Sequence, residues 1–150
     1  MASDAPAGYC EVSVYYSRPL EEFVDAGKYD FHESVSVLSK FNPRKNGRED
    51  VRIELICLGR IAKSGEVFAE ISKRKMRPAN FYEILAIGEK FPEIQKRFPI
   101  VALDSVLIGD NGEKCVPALW GLNGLRGLNV FSMDTEWGAN HHFAAVCKDE

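Results

Sequence analysis

Apolar and polar side chains alternate over Tyr9–Tyr16, with Cys10, Val12, Val14 and Tyr16 on one face. A period of two predicts a strand buried on that face alone. Pro19 opens a short helical segment through Asp25 that Gly27 closes, and Glu33–Ser39 alternates again through Val35 and Val37, predicting a second strand. The run Asn42-Pro43-Arg44-Lys45-Asn46-Gly47 is a turn signal. Val51–Leu58 follows as a strand, with Val51, Ile53, Leu55 and Cys57 on one face and Arg52 and Glu54 on the other. Ile56 and Leu58 predict that its later part is covered on both sides.

The period then lengthens. Val67, Phe68 and Ile71 recur at helical spacing opposite Glu66, Glu70, Lys73 and Arg74, which predicts an amphipathic helix over Ser64–Met76, ended by Pro78. Asn80 followed by Glu83 predicts a capping box at the start of a second helix, with Phe81, Ile84, Leu85 and Gly88 as its buried stripe. Pro92 suits the first turn of a third, short helix reaching Phe98. Ile100–Ile108 is the most apolar run and predicts a central strand, followed by a hairpin turn at Gly109-Asp110-Asn111-Gly112. Lys114–Trp120 returns as a strand that Pro117 limits to an edge or a bulge. Gly121, Gly124 and Gly127 predict a flexible loop, and Leu128–Met133 and His141–Lys148 the last strands. Strands, then two to three helices, then strands predict an α+β fold with a mostly antiparallel sheet, not a doubly wound one.

The chain has 150 residues, 45% hydrophobic and 27% charged, which suits one domain with one core. N-terminal strands and an arm occupy 1–50, and helices followed by antiparallel strands occupy 51–150, with a frayed tail over Met1–Gly8. No run of 18 apolar residues is present, and Met1–Cys10 is polar. The expectation is a cytoplasmic protein without a membrane partner, a cell-surface or virion location being the alternative. Cys10, Cys57, Cys115 and Cys147 show no CxxC or CxxH spacing and lie in apolar stretches. They predict four buried, reduced thiols and no zinc site.

From Val51 onward, the order of strand, two helices, central strand, irregular region and returning strands resembles the C-type-lectin-like fold. The helix start Arg77-Pro78-Ala79-Asn80-Phe81-Tyr82-Glu83 resembles that of bacterial and phage members, and Phe143-Ala144-Ala145-Val146-Cys147-Lys148 resembles their closing strand. Arg77-Pro78-Ala79 and Phe98-Pro99-Ile100-Val101-Ala102-Leu103 also resemble a pattern in uncharacterised bacterial proteins, which implies no function. The lectin resemblance implies that the last strand pairs with Val51–Leu58 and that a variable loop surface is presented to a partner. It does not imply calcium-dependent sugar binding, because Trp137-Gly138-Ala139-Asn140 lacks the ligand signature.

Three functional readings fit these residues. In the first, a non-catalytic binding or structural module uses the 109–140 surface, with Trp120, Leu122, Leu125, Arg126 and Trp137 as partner-binding residues and a protein as partner. The second is a small enzyme with a pocket near Asp104, His141 and His142, Asp104 being read as a carboxylate buried in the apolar run. Adjacent histidines in a strand point to opposite faces, so His141 and His142 do not predict a shared metal site; a Cys/His nucleophile would use Cys115 or Cys147. The third is a nucleic-acid-associated accessory protein. Residues 40–77 hold 11 basic and five acidic side chains, against three basic and seven acidic over 98–150. Lys73, Arg74, Lys75 and Arg77 form the basic patch, whose first reading is cations that complete a helix C-terminus and whose second is a phosphate-facing cluster. No cofactor motif is present: the glycines at 121, 124 and 127 lack the GxGxxG spacing.

Overall fold

The computed structural model describes residues 9–41 and 45–148. The tail over Met1–Gly8 and the Asn42-Pro43-Arg44 part of the expected turn lie outside the described residues. In chain order the elements are β1 (Tyr9–Tyr15), α1 (Leu20–Gly27), β2 (Phe31–His32), α2 (Val35–Leu38), β3 (Arg48–Ile56), β4 (Ala62–Lys63), α3 (Ser64–Lys73), β5 (Met76–Pro78) and α4 (Phe81–Lys90). A 3-10 turn at Ile94–Lys96 leads to β6 (Ile100–Val101), β7 (Leu107–Ile108), β8 (Lys114–Leu122), β9 (Leu125–Ser132), β10 (Glu136–Trp137) and β11 (His142–Cys147).

The fold is α+β. A nine-stranded sheet runs in the order β1-β3-β11-β6-β8-β9-β2, with β5 paired to β11 and β7 to β8, while β4 and β10 form a separate ribbon. The sheet is mixed but mostly antiparallel; pairing is parallel where β6 meets β11 and β2 meets β9. The closing strand β11 pairs antiparallel with β3, Phe143 opposite Ile56.

Strand alternation divides the core between the two faces of this sheet. On one face, Cys10, Val12 and Val14 of β1 pack with Ile53, Leu119, Leu128, Ala144 and Val146 beneath α1 and α4. On the other, Ile56, Val101, Val116, Ala118, Phe143 and Ala145 pack with Val67 and Ile71 of α3 and with Trp137 of β10. Ile53 and Ile56 thus belong to opposite cores, as the two-sided cover expected for the end of β3 requires. The capping box of α4 is present: Asn80 Oδ1 accepts from Glu83 N at 2.9 Å, and Glu83 Oε1 accepts from Asn80 N at 2.8 Å. Every residue of Phe81–Gly88 is buried, so α4 is enclosed all round rather than along a stripe.

Several expectations are corrected. Four helices are present among the described residues, two of them in the first third of the chain. Glu33–Ser39 is not a strand: the Ser34 hydroxyl accepts from Val37 N and caps the single turn α2, while Leu38 enters the core. The helix expected to reach Met76 ends at Lys73. Arg74 caps it, Lys75 takes a left-handed φ of 62°, and Met76–Pro78 leaves as a strand. The third helix is only the 3-10 turn. The run Ile100–Ile108 pairs only at its two ends, because its middle turns to bring the Ser105 hydroxyl onto Phe81 N at 2.7 Å, a second cap for α4. Pro117 lies in a central strand, not an edge. Its carbonyl accepts from Ala102 N, so its nitrogen, which lacks a hydrogen, faces the interruption between β6 and β7.

The glycine-punctuated loop is a hairpin. Leu122 pairs with Leu125 across Asn123 (φ 54°) and Gly124 (φ 82°), the conformation that a two-residue Asn-Gly turn adopts. Of the four free cysteines, Cys10 and Cys115 are buried, Cys147 is half-buried and Cys57 is exposed, donating to the Ala139 carbonyl. No helix among the described residues is long and apolar enough to cross a membrane.

Candidate functional site

The register of the β8–β9 hairpin decides which side chains share a face. Leu122 pairs with Leu125, Trp120 with Gly127, Ala118 with Asn129 and Val116 with Phe131. These residues project toward the α3 side of the sheet, where Val116 and Ala118 already lie in the second core. Strand β2 adds Phe31, opposite Gly127. Helix α3 covers the middle of this side and leaves both ends open. At the β1–β3 end the outward residues are charged and mutually paired: Arg48 with Asp50, and Arg52 with Glu11. Such an end needs no partner. At the β8–β9–β2 end they are apolar, with Leu122 60%, Phe31 46%, Leu125 42% and Phe131 40% exposed.

Trp120 is partly exposed yet held from three directions. Its indole lies flat on Gly127, where an added Cβ would come within 2.4 Å of the ring. It stacks on Phe31 with centroids 6.0 Å apart and planes 4° from parallel. Its Nε1 donates to Asn129 Oδ1 at 2.8 Å, and Asn129 in turn donates to Glu33 Oε2. Trp137 is fixed from the opposite side: its Nε1 donates to Ser64 Oγ at 2.9 Å, and Ser64 donates to the Met133 carbonyl. Between the two indoles lies a pocket of about 240 Å³ lined by Trp120, Phe131, Trp137 and His141, with Pro99, Ala118 and Gly121 completing it. The His141 ring packs on Trp137 at 5.5 Å, and its buried Nδ1 makes no well-formed hydrogen bond. Burial lowers its pKa, which the Gly138 carbonyl only partly offsets, so the imidazole is neutral at pH 7.

The five residues expected to contact a partner therefore separate. Leu122 and Leu125 form the exposed hairpin tip, while Trp120 and Trp137 wall the pocket from outside and inside. Arg126 projects to the opposite face and is buried. Its Nη1 donates to the carbonyls of Gly27 and Lys28, and its Nη2 to the Gly88 carbonyl and Gln95 Oε1. The guanidinium lies over the Tyr29 ring at 4.8 Å. Carbonyls at the ends of α1 and α4 carry negative partial charge, so a cation there ties both helices to β9. Nothing in the run Gly124-Leu125-Arg126-Gly127 signals this burial.

The residues of the enzyme reading are not brought together. His141 lines the aromatic pocket. His142 faces the other side, stacked on Phe98 at 3.5 Å with its Nδ1 on the Asn140 carbonyl. Asp104 is exposed, not buried; its N donates to the Ala79 carbonyl and its charge acts on Arg77. Burial and the Glu113 carboxylate raise the Cys115 pKa, the reverse of what an activated thiol needs. Among the described residues, no group of three His, Cys, Asp or Glu side chains is placed to hold a metal ion.

The basic patch is also divided. Arg74 is engaged by Glu70 and Glu54. Arg77 is not at a helix end: it makes a two-point contact with the fully buried Glu83, at 2.7 and 3.1 Å. Lys73 and Lys75 complete the group as exposed side chains. Sequence reasoning does not reach Phe31 and Phe131: no periodic signal marks a two-residue strand, and Phe131 reads only as part of a strand. Comparisons with protein-family models, curated proteins and solved structures find no match to this chain.

Proposed function

We propose that the chain is a non-catalytic binding module that presents the open β8–β9–β2 end of its sheet to a protein partner. The observation that carries this reading is the pair of indoles. Each ring is locked by a hydrogen bond from its N–H to a side chain that is itself bonded, and around Trp120 the sheet leaves Phe31, Leu122, Leu125 and Phe131 exposed. A rigid, partly exposed indole such as Trp120, set in an apolar patch and backed by the buried Trp137, is what protein interfaces use as an anchor. Patches of this kind are uncommon on surfaces that contact only water. None of Phe31, Trp120, Leu122, Leu125 and Phe131 carries charge, and no Lys or Arg lines the adjoining pocket. A protein surface of apolar character therefore suits this end better than a phosphate backbone does.

The pairing of β11 with β3, and the place of α3 and α4 between them, support reading residues 51–150 as C-type-lectin-like in layout. Here the presented surface is a hairpin and sheet face rather than a loop. The free thiols support a cytoplasmic location. The test is a peptide-display selection against the immobilised chain, followed by affinity measurements on the Leu122→Asp/Leu125→Asp variant. Both positions are exposed, but they face each other across the hairpin, so two like charges there should cost no more than about 1 kcal/mol and leave the fold intact. Selected peptides are expected to lose at least about tenfold in affinity, as loss of a hot-spot contact does. Peptides that bind parent and variant equally would refute the reading.

A further inference from the structure

We infer that the pocket between Trp120 and Trp137 is the subsite that receives a tyrosine side chain of the partner, its phenol ring lying among the aromatic walls and its hydroxyl meeting His141. The inference rests on the binding-module reading and adds the chemistry of the anchor. Size comes first. At about 240 Å³ the pocket is smaller than the ~300–1,000 Å³ of sites for drug-sized ligands, so it suits a single ring. Wall chemistry comes second. Trp120, Phe131 and Trp137 offer π faces and edges, which favour a flat aromatic ring over an aliphatic group of equal size.

The third argument is an inventory of hydrogen bonds. The indole N–H of Trp120 is given to Asn129 and that of Trp137 to Ser64. The His141 imidazole is the lining side chain with hydrogen-bonding capacity left over: its Nδ1 is buried beside the Gly138 carbonyl, and its Nε2 carries no hydrogen bond among the described residues. A ring with one polar atom at its rim matches this set better than a ring without one. The pocket also adjoins the exposed apolar surface, since Trp120 and Phe131 belong to both. A side chain projecting from a docked partner thus reaches it without opening the fold.

The chain contains two tryptophans, and both line the site. Its ¹H–¹⁵N correlation spectrum therefore carries two indole N–H signals that report on the pocket directly. The experiment titrates the intact chain with p-cresol, the tyrosine side-chain analogue, and in parallel with toluene and 4-methylcyclohexanol. Both indole signals are expected to move saturably with p-cresol. Toluene should bind about fivefold more weakly for want of one hydrogen bond. The saturated 4-methylcyclohexanol should bind about tenfold more weakly for want of ring stacking. Phe131→Ala, at an exposed position, should weaken p-cresol binding about fivefold with the fold intact. His141→Phe should erase the preference for p-cresol over toluene.

No saturable shift with p-cresol would overturn the inference, as would equal binding of the saturated ring or an unchanged affinity in Phe131→Ala. Toluene binding as tightly as p-cresol would overturn the assignment of a phenol. Leu122 and Leu125 do not line the pocket, so Leu122→Asp/Leu125→Asp should keep p-cresol binding. Failure of the ring titration while selected peptides still need Leu122 and Leu125 sinks this inference alone. Peptides indifferent to those leucines while p-cresol binds sink the docking surface instead.

Discussion

Replacing Arg77 with Ala separates a cation that builds the fold from one that waits for a ligand. The Glu83 carboxylate is fully buried and accepts three bonds: from Asn80 N at 2.8 Å, and from Arg77 Nη1 and Nη2 at 3.1 and 2.7 Å. Without Arg77, Oε2 loses its hydrogen-bond donor and the carboxylate stays buried without a counter-charge. Breaking a buried pair from one side costs about 3–5 kcal/mol. Arg77 is 32% exposed, so water can enter the space it leaves, and the low end, about 3 kcal/mol, applies. For a chain of this size that is a fall in Tm of about 6–12 °C. Lys73→Gln and Lys75→Gln, at exposed positions, should change stability by less than about 0.5 kcal/mol. The assay is urea unfolding of Arg77→Ala, Glu83→Gln and the double variant. The double variant should recover much of the loss, because a neutral amide at 83 keeps the capping bond and needs no cation. If Arg77→Ala costs no more than Lys73→Gln, or if the two single changes simply add, the pair does not hold the start of α4 and the reasoning fails.

Other outcomes follow from the same geometry. Gly127→Ala places a Cβ within 2.4 Å of the Trp120 ring; the indole must lift off β9, at a cost of about 1–3 kcal/mol and with a change in tryptophan emission, whereas an unchanged spectrum and midpoint would show that the ring does not lie there. A thiol-reactive dye should label Cys57 fast and Cys10 slowly, because Cys57 is exposed and burial pushes the Cys10 thiol up to about 11 against the opposing charge of Lys90; equal rates would contradict the assignment. Burial lowers the folded-state pKa of both His141 and His142. The unfolded chain therefore binds more protons below about 6.5, and stability should be full above that pH and fall as the solution is acidified through the folded values. Denaturant midpoints at pH 7.5 and 5 test this, and His141→Gln/His142→Gln should show a smaller difference than the parent; an equal difference would refute it.

Local signals carried a large part of the fold. The alternation of Cys10, Val12 and Val14 is strand β1, and the Asn80/Glu83 spacing is the capping box that starts α4. Ile56, of opposite parity to Ile53, announces the cover on both faces, whereas Leu58, read with it, lies beyond the end of β3. Other segments misled because a side chain changed the meaning of the pattern. Val35 and Val37 alternate, but Ser34 turns its hydroxyl onto the backbone and makes a helical turn of them. Ile100–Ile108 is apolar throughout, yet Ser105 is needed at the start of α4 and draws the middle of the run out of the sheet. Asn123-Gly124 was a readable hairpin signal, obscured by the neighbouring glycines, which serve other ends: Gly127 makes room for an indole. At the site, Trp120, Trp137 and His141 were each visible as residues, but their convergence depends on the pairing of β8 with β9 and on the return of β10, which are long-range. Arg126 was beyond local reading altogether, since the carbonyls that hold it come from two helices remote in sequence.

The central claim is that the apolar end of the sheet, and not its charged end or the 73–77 segment, is where a partner docks. Amide hydrogen exchange of the chain, free and saturated with a peptide selected by display, tests it most directly. The account predicts slowed exchange over residues 118–131 and at Phe31 and His32, with rates over Tyr9–Tyr15, Arg48–Asp50 and Lys73–Arg77 unchanged. Protection over β1 and β3 or over the basic segment, with 118–131 exchanging as in the free chain, would contradict it.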